Sequence, residues 1–138
     1  MPRAVGLAVC EDVHAPHDVP VVTTAVSDGY ALDSASTRMA GRPGAVEIQV
    51  DRRPPSPVIP GTAVRVMAGS VLPEGTDCVL PQDLLNSDGD IVLFSPVKRW
   101  AGTRLAGSDY GAGEVLVRNG TILHPGIISV LASAGINE

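Results

Sequence analysis

Glycine and proline interrupt this chain so often that no long regular element has room to form. There are 15 Gly and 12 Pro in 138 residues. Proline lacks an N–H and locks φ, and glycine is costly inside a helix or strand but free in turns. Valine is frequent and good helix formers are sparse. The pattern predicts many short strands joined by tight turns, and it excludes a helical bundle.

The remaining composition narrows the function classes. Hydrophobic residues make up 44% and charged residues 18%, enough apolar mass for a packed core and too much for a disordered segment. The length suits one domain, or one and a half small ones. A net charge of -5 opposes non-specific nucleic-acid binding, and 3% aromatics leave no stacking platform for single strands. No apolar run approaches the ~20 residues of a membrane span, so no membrane partner is expected. The apolar stretch after Arg3 is too short for a good signal peptide, which makes the cytoplasm the expected compartment. Cys10 and Cys78 show neither CxxC nor zinc spacing and are read as reduced, buried small hydrophobes.

Along the chain, Val5 to Val13 is β-prone, and Pro16 and Pro20 then hold the chain extended. Residues 21–26 (VVTTAV) read as a strand, Ser27-Asp28-Gly29 as a turn, and Tyr30 to Leu32 as a further strand. Residues 33–44 read as a loop. Ala45 to Val50 alternates, with Val46, Ile48 and Val50 on one face. Ala63 to Met67 puts Val64 and Val66 inward and Arg65 outward. Cys78 to Leu80 is a short strand, Asn86 to Asp90 a hairpin turn, and Ile91 to Phe94 its returning strand. Glu114 to Arg118 alternates, and Asn119-Gly120 fits a type I′ turn before Thr121. The one convincing helix comes last. Pro125 suits its first turn, Ile127, Ile128, Val130, Leu131 and Ala134 repeat with a period near 3.6, and Gly135 suits the cap beyond its end.

Residues that could carry chemistry each have a plain structural reading beside the functional one. Asp28 is either a turn acid or a carboxylate offered to a ligand. Asp109, in a glycine-rich stretch, poses the same choice. The turn Ala68-Gly69-Ser70 follows a strand and reads first as a structural turn, although free amides there would make an anion-binding nest. His14, His17 and Asp18 are spaced like weak metal ligands but lie among prolines, and no metal site is expected. No Ser/His/Asp or Cys/His arrangement has the local context of a nucleophile.

Taken together, the segments resemble one family. Residues 11–20 (EDVHAPHDVP) match its EDVxAPxDVP signature, and 28–31 its DGYA. Residues 63–77 (AVRVMAGSVLPEGTD) resemble AVRIMTGAPLPEGAD, and 107–116 (GSDYGAGEVL) resemble GEDIxAGEVL. Residues 120–136 (GTILHPGIISVLASAGI) resemble GTxLxPxxIGLLASLGI. The family is the MoeA/gephyrin E-domain molybdopterin molybdenumtransferases. The resemblance implies a mainly β fold: a small β-barrel, residues 21–106, inserted in an elongated β/α dimerisation-type domain made of residues 1–20 and 107–138, with one C-terminal helix.

The family inserts molybdate into adenylylated molybdopterin, with divalent-metal help, in molybdenum cofactor biosynthesis. Carried over residue by residue, Asp28 and Asp109 match its functional acids, and Arg104, Ala68, Gly69 and Ser70 match positions near the cofactor. The implied cofactors are molybdopterin, molybdate and Mg2+, none of them expected to bind this chain by itself. The implied partners are a second copy, as a weak homodimer, and a catalytic domain. The family's catalytic α/β domain would begin where these residues end, so the chain alone is expected not to be catalytic.

The sequence also departs from the family. Ala68 stands where MTG has threonine, and the basic run before GED keeps only Arg104, with Leu105 and Ala106 next. Ser108 replaces the acid before Asp109. Two readings stay open: part of a transferase, or a non-catalytic binding and dimerisation module that kept the fold.

Overall fold

The computed structural model describes residues 4–41, 46–52, 56–84 and 89–137. The chain divides into two compact units, Met1–Val22 with Ala106–Glu138, and Thr23–Leu105. The fold is mainly β with a single C-terminal helix among the described residues.

The first unit is an antiparallel ribbon between the two chain ends. Strand β1 (Val13–His14) pairs with the strand Val115–Val117. Its pairing continues through bridges Ala8 to Ile122 and Val19 to Tyr110. The β-prone run at 5–13 is therefore strand-like only where it meets this partner. Asn119-Gly120 makes a turn in which only Gly120 has a positive φ (+82°), closed by Thr121 N–H donating to the Arg118 carbonyl at 3.1 Å. That is the type II pattern, not the expected type I′, which needs both central residues left-handed. The turn does not form a hairpin either, because Gly120 donates to the Val9 carbonyl at 2.7 Å and both its flanks pair with the N-terminal segment.

Two acids of the 11–20 motif clip the ribbon. Asp12 accepts from the Asn119 amide at 2.7 Å, and Asp18 from the Ala112 amide at 2.8 Å. His14 bonds the Gly113 carbonyl through Nδ1 at 2.9 Å. These are structural contacts, and they occupy two of the residues with metal-like spacing.

The helix α1 (Pro125–Ser133) forms as its signals predict. His124 caps it by accepting from the Gly126 amide, proline fills the first turn, and Gly135 follows at φ +78°. Leu131 and Ala134 are buried, and Val130 is exposed. No helix among the described residues is long and apolar enough to cross a membrane.

The second unit is built on a curled five-stranded sheet. Its strands, numbered in chain order after the short β2 (Thr24–Ala25), are β3 (Gly29–Leu32), β4 (Val46–Asp51), β5 (Thr62–Val66), β6 (Cys78–Pro81) and β7 (Ile91–Leu93). They are ordered β6-β3-β5-β4-β7. β2 pairs separately with β8 (Thr103–Arg104), and the ribbon strand Val115–Val117 is β9. Most of the hairpin turn expected at 86–90 lies outside the described residues. Its returning strand pairs with β4 rather than β6, so the two segments flanking that turn are opposite edges of the sheet.

Alternation sends residues of β3, β5 and β6 to two cores, and those of β4 and β7 to one of them alone. Tyr30, Leu32, Ile48, Ala63, Cys78, Leu80, Ile91 and Leu93 form one; Ala25, Ala31, Val58, Val64, Val66 and Val79 form the other. Both faces of β5 are thus covered, and Arg65, though exposed, shares a face with the buried Ala63. Residues 33–44 are not all loop: Ser34–Thr37 is a 3-10 turn whose N-cap, Asp33, accepts from the Ala35 amide.

Cys78 is fully buried and Cys10 is exposed, so the expectation of two buried thiols holds for one. Burial, with Asp77 and Asp33 nearby, pushes the Cys78 thiol from 9.0 up to about 12. Below pH 9 folded and unfolded chains both hold the neutral thiol. Above it only the unfolded chain ionises, so stability is full below pH 9 and is lost as pH climbs toward 12. Urea unfolding is expected to show a loss of about 1 kcal/mol per pH unit between pH 9 and 11, absent in Cys78→Ala. An equal slope in that variant would remove the assignment to this thiol.

Candidate functional site

Asp28 stands in the turn between β2 and β3, exposed, with Oδ1 accepting from the Ala68 amide at 2.8 Å. Its partner is 40 residues away in sequence. The bond ties the start of β3 to the turn that follows β5. Asp28 is therefore not a residue that only closes its own turn, and it carries no dense set of local bonds.

The turn Ala68-Gly69-Ser70 takes its structural reading and is not an anion nest. The Ala68 amide goes to Asp28, the Gly69 amide to the Ala25 carbonyl at 2.8 Å, and the Ser70 amide to the Met67 carbonyl at 3.0 Å. Ser70 Oγ also donates to the Met67 carbonyl, at 2.6 Å. A nest needs unspent N–H groups, and here all three are spent: one on Asp28, one on β2 and one within the turn itself. Short-range reasoning could not detect two of these bonds, because the acceptors of Ala68 and Gly69 lie about 40 residues upstream.

Arg104 is exposed on β8, directly opposite Thr24. Ala25, next along β2, bonds the 69–70 turn, so Asp28, Ala68-Gly69-Ser70 and Arg104 all sit on elements grouped around β2 within one unit. Asp109 is exposed in the other unit, where its amide donates to the Val19 carbonyl at 2.9 Å. Both Arg104 and Asp109 have interactions of their own.

Among the described residues, no three His, Cys, Asp or Glu side chains converge to hold a metal ion. Mg2+ asks for six oxygen ligands in near-ideal octahedral geometry. One exposed aspartate does not supply them, so the side chains described do not by themselves make a Mg2+ site.

The profile of the MoeA N-terminal region (domain I and II) matches residues 1–135. The chain belongs to this family. Among relatives of the MoeA N-terminal region, a molybdopterin molybdenumtransferase of Haemophilus influenzae is 33% identical over 144 residues, covering 99% of this chain and 34% of the relative. Molybdopterin molybdenumtransferase 2 of Mycobacterium tuberculosis is 30% identical, again over 99% of this chain and 35% of the relative. The crystal structure of the molybdopterin biosynthesis moeA protein of Pyrococcus horikoshii superposes with a TM-score of 0.85 at 30% identity, over 98% of this chain and 37% of that one. The chain thus spans about a third of the length of the relatives it matches.

Sequence reasoning missed the acids that hold the MoeA-type fold together. Asp77 bonds the Ser34 amide and hydroxyl, at 2.7 and 2.9 Å, and pairs with Arg99 at 3.2 Å.

Asp28→Asn is expected to change stability by less than about 0.5 kcal/mol, because the amide oxygen of asparagine can still accept from Ala68. Asp28→Ala should cost about 1 kcal/mol, one hydrogen bond. Urea unfolding measures both, and a loss above about 2 kcal/mol in the asparagine variant would mark Asp28 as a folding residue only.

Proposed function

We propose that this chain supplies the N-terminal, non-catalytic portion of a molybdopterin molybdenumtransferase, and that molybdate insertion into adenylylated molybdopterin requires residues beyond these 138. The observation that carries this reading is the family match over residues 1–135 together with coverage of only about a third of the transferases. In this reading the ribbon unit with α1 is the dimerisation-type domain, and the sheet unit is the barrel. The half-buried Ile127 and Ile128 and the exposed Val130 are the apolar surface for a second copy.

Asp28 and Asp109 are the carboxylates presented to the reacting substrate, and Arg104 is the cation for its anionic part. The turn Ala68-Gly69-Ser70 acts as a wall held in place by Asp28, not as an amide donor set. In-line attack on a pyrophosphate needs groups from more than one element, which this chain offers only in part.

The test is a chimera in which these residues replace the matching third of the Haemophilus influenzae transferase. The expected result is active cofactor from the chimera and none above background from residues 1–138 alone. Activity of the isolated chain would overturn the reading. A folded, inactive chimera would favour the second reading, a non-catalytic module, which Ala68, Leu105 and Ala106 support by removing a hydroxyl and two charges.

A further inference from the structure

In the sheet unit, a pocket of about 500 Å³ opens beside the inner-face core, walled by Tyr30, Val50, Asp51, Arg52, Arg65 and Asp90. Its size is that of a small-molecule site. Its position follows from the ladder. Tyr30 is the cross-strand partner of Arg65, and β4 runs parallel to β5 with Val50 opposite Ala63 and Asp51 opposite Val64. Continuing that register by one residue brings Arg52 beside Arg65. The inner-face rows, buried and apolar along Leu32, Ile48 and Ala63, thus end in two guanidinium groups.

The two arginines are the unusual feature. Neither has an ion pair or side-chain hydrogen bond among the described residues, and the chain as a whole is acidic, at -5. Two carboxylates, Asp51 and Asp90, share the wall with the arginines; Asp90 accepts from the Val50 amide at 3.2 Å, and both have further interactions. Each guanidinium brings five donors in a planar fork that matches the oxygens of phosphate or carboxylate. Tyr30, 8% exposed, and the half-buried Val50 supply apolar surface beside the charges.

We infer that this pocket binds a small phosphate monoester, its dianionic head held between Arg52 and Arg65 and its organic body against Tyr30 and Val50. Two guanidinium forks offer more donors than the two oxygens of a carboxylate can use, and the three oxygens of a phosphate head match them better. The site uses none of the residues assigned to molybdopterin chemistry above, and it stands or falls independently of that reading.

The experiment is an amide chemical-shift titration of the full 138-residue chain with phenyl phosphate, with benzoate and inorganic phosphate in parallel. The expected result is saturable shifts at the amides of Tyr30, Val50, Arg52 and Arg65, with phenyl phosphate binding at least about five-fold more tightly than either comparison compound, since benzoate lacks the second charge and inorganic phosphate the apolar body. Arg52→Ala and Arg65→Ala should each weaken it about ten-fold or more, and Lys98→Ala, outside the pocket, should not. If Arg65→Ala fails to fold, Arg65→Gln and Arg52→Ala carry the comparison. The inference is overturned by an absence of shifts at these amides, by benzoate binding as tightly as phenyl phosphate, or by undiminished affinity in the folded arginine variants.

Discussion

Gly29→Ala is expected to destabilise the sheet unit by more than about 3 kcal/mol. A Cβ at this position would land on the carbonyl oxygen of Leu80, with the Leu80 carbonyl carbon at 3.0 Å and Val79 Cγ1 at 3.2 Å. The obstacle is backbone, so no rotamer change relieves it. Nor can the strand retreat, because β3 is laddered on both sides, with Gly29 opposite Val66 on β5 and opposite Pro81 on β6. Relief requires opening one of the two ladders, and overpacking of this kind exceeds the usual range for core insertions. The glycine of the DGYA segment is therefore explained by the packing of three strands, with no appeal to a ligand. Urea unfolding of the variant checks it, and a loss below about 1 kcal/mol would show that the close approach is not real.

Asp77→Ala is expected to cost about 3 kcal/mol. The half-buried carboxylate accepts two bonds from Ser34, and its loss leaves the Ser34 amide without its acceptor, a penalty larger than the bond itself is worth. The same residue links β3 to the segment before β8 through its backbone, donating to the Leu32 carbonyl at 3.0 Å and accepting from the Trp100 amide at 2.6 Å. Asp77→Asn, which keeps an acceptor, should cost about 1 kcal/mol. Arg99→Ala should cost less than about 0.5 kcal/mol, because the arginine is 67% exposed and a solvated ion pair is worth little. The ordering Ala, then Asn, then the arginine variant is read from urea midpoints. An arginine variant as damaging as Asp77→Ala would move the weight from the Ser34 bonds to the ion pair.

These two positions show why motif residues alone were ambiguous here. Gly29 and Asp77 both lie in segments that identify the family, yet both are accounted for by contacts inside the sheet unit. Asp28 has a single, replaceable bond to a distant amide and no such account. The difference between a folding role and a site role lay in partners some 40 residues away, and spacing along the chain carries no information about them.

Local physics was legible from the residues. Closely spaced glycine and proline implied short strands, and β3 to β7 and β9 appear where short strands were read. The C-terminal helix has its proline and its glycine where local capping rules place them, because capping is settled within one turn of chain. Pairing was not legible. That β7 joins β4 instead of β6, that Asn119-Gly120 sits within a ribbon rather than a hairpin, and that the amides of Ala68 and Gly69 are spent on Asp28 and Ala25 all depend on which distant segments meet. The same holds for Arg52, one residue past β4, and Arg65 on β5, 13 positions apart in sequence, which only the parallel register of those strands brings side by side. Alternation tells a strand which side chains share a face, but the free energy that selects its neighbour comes from burying both faces of the finished sheet, and that exists only once the chain has folded.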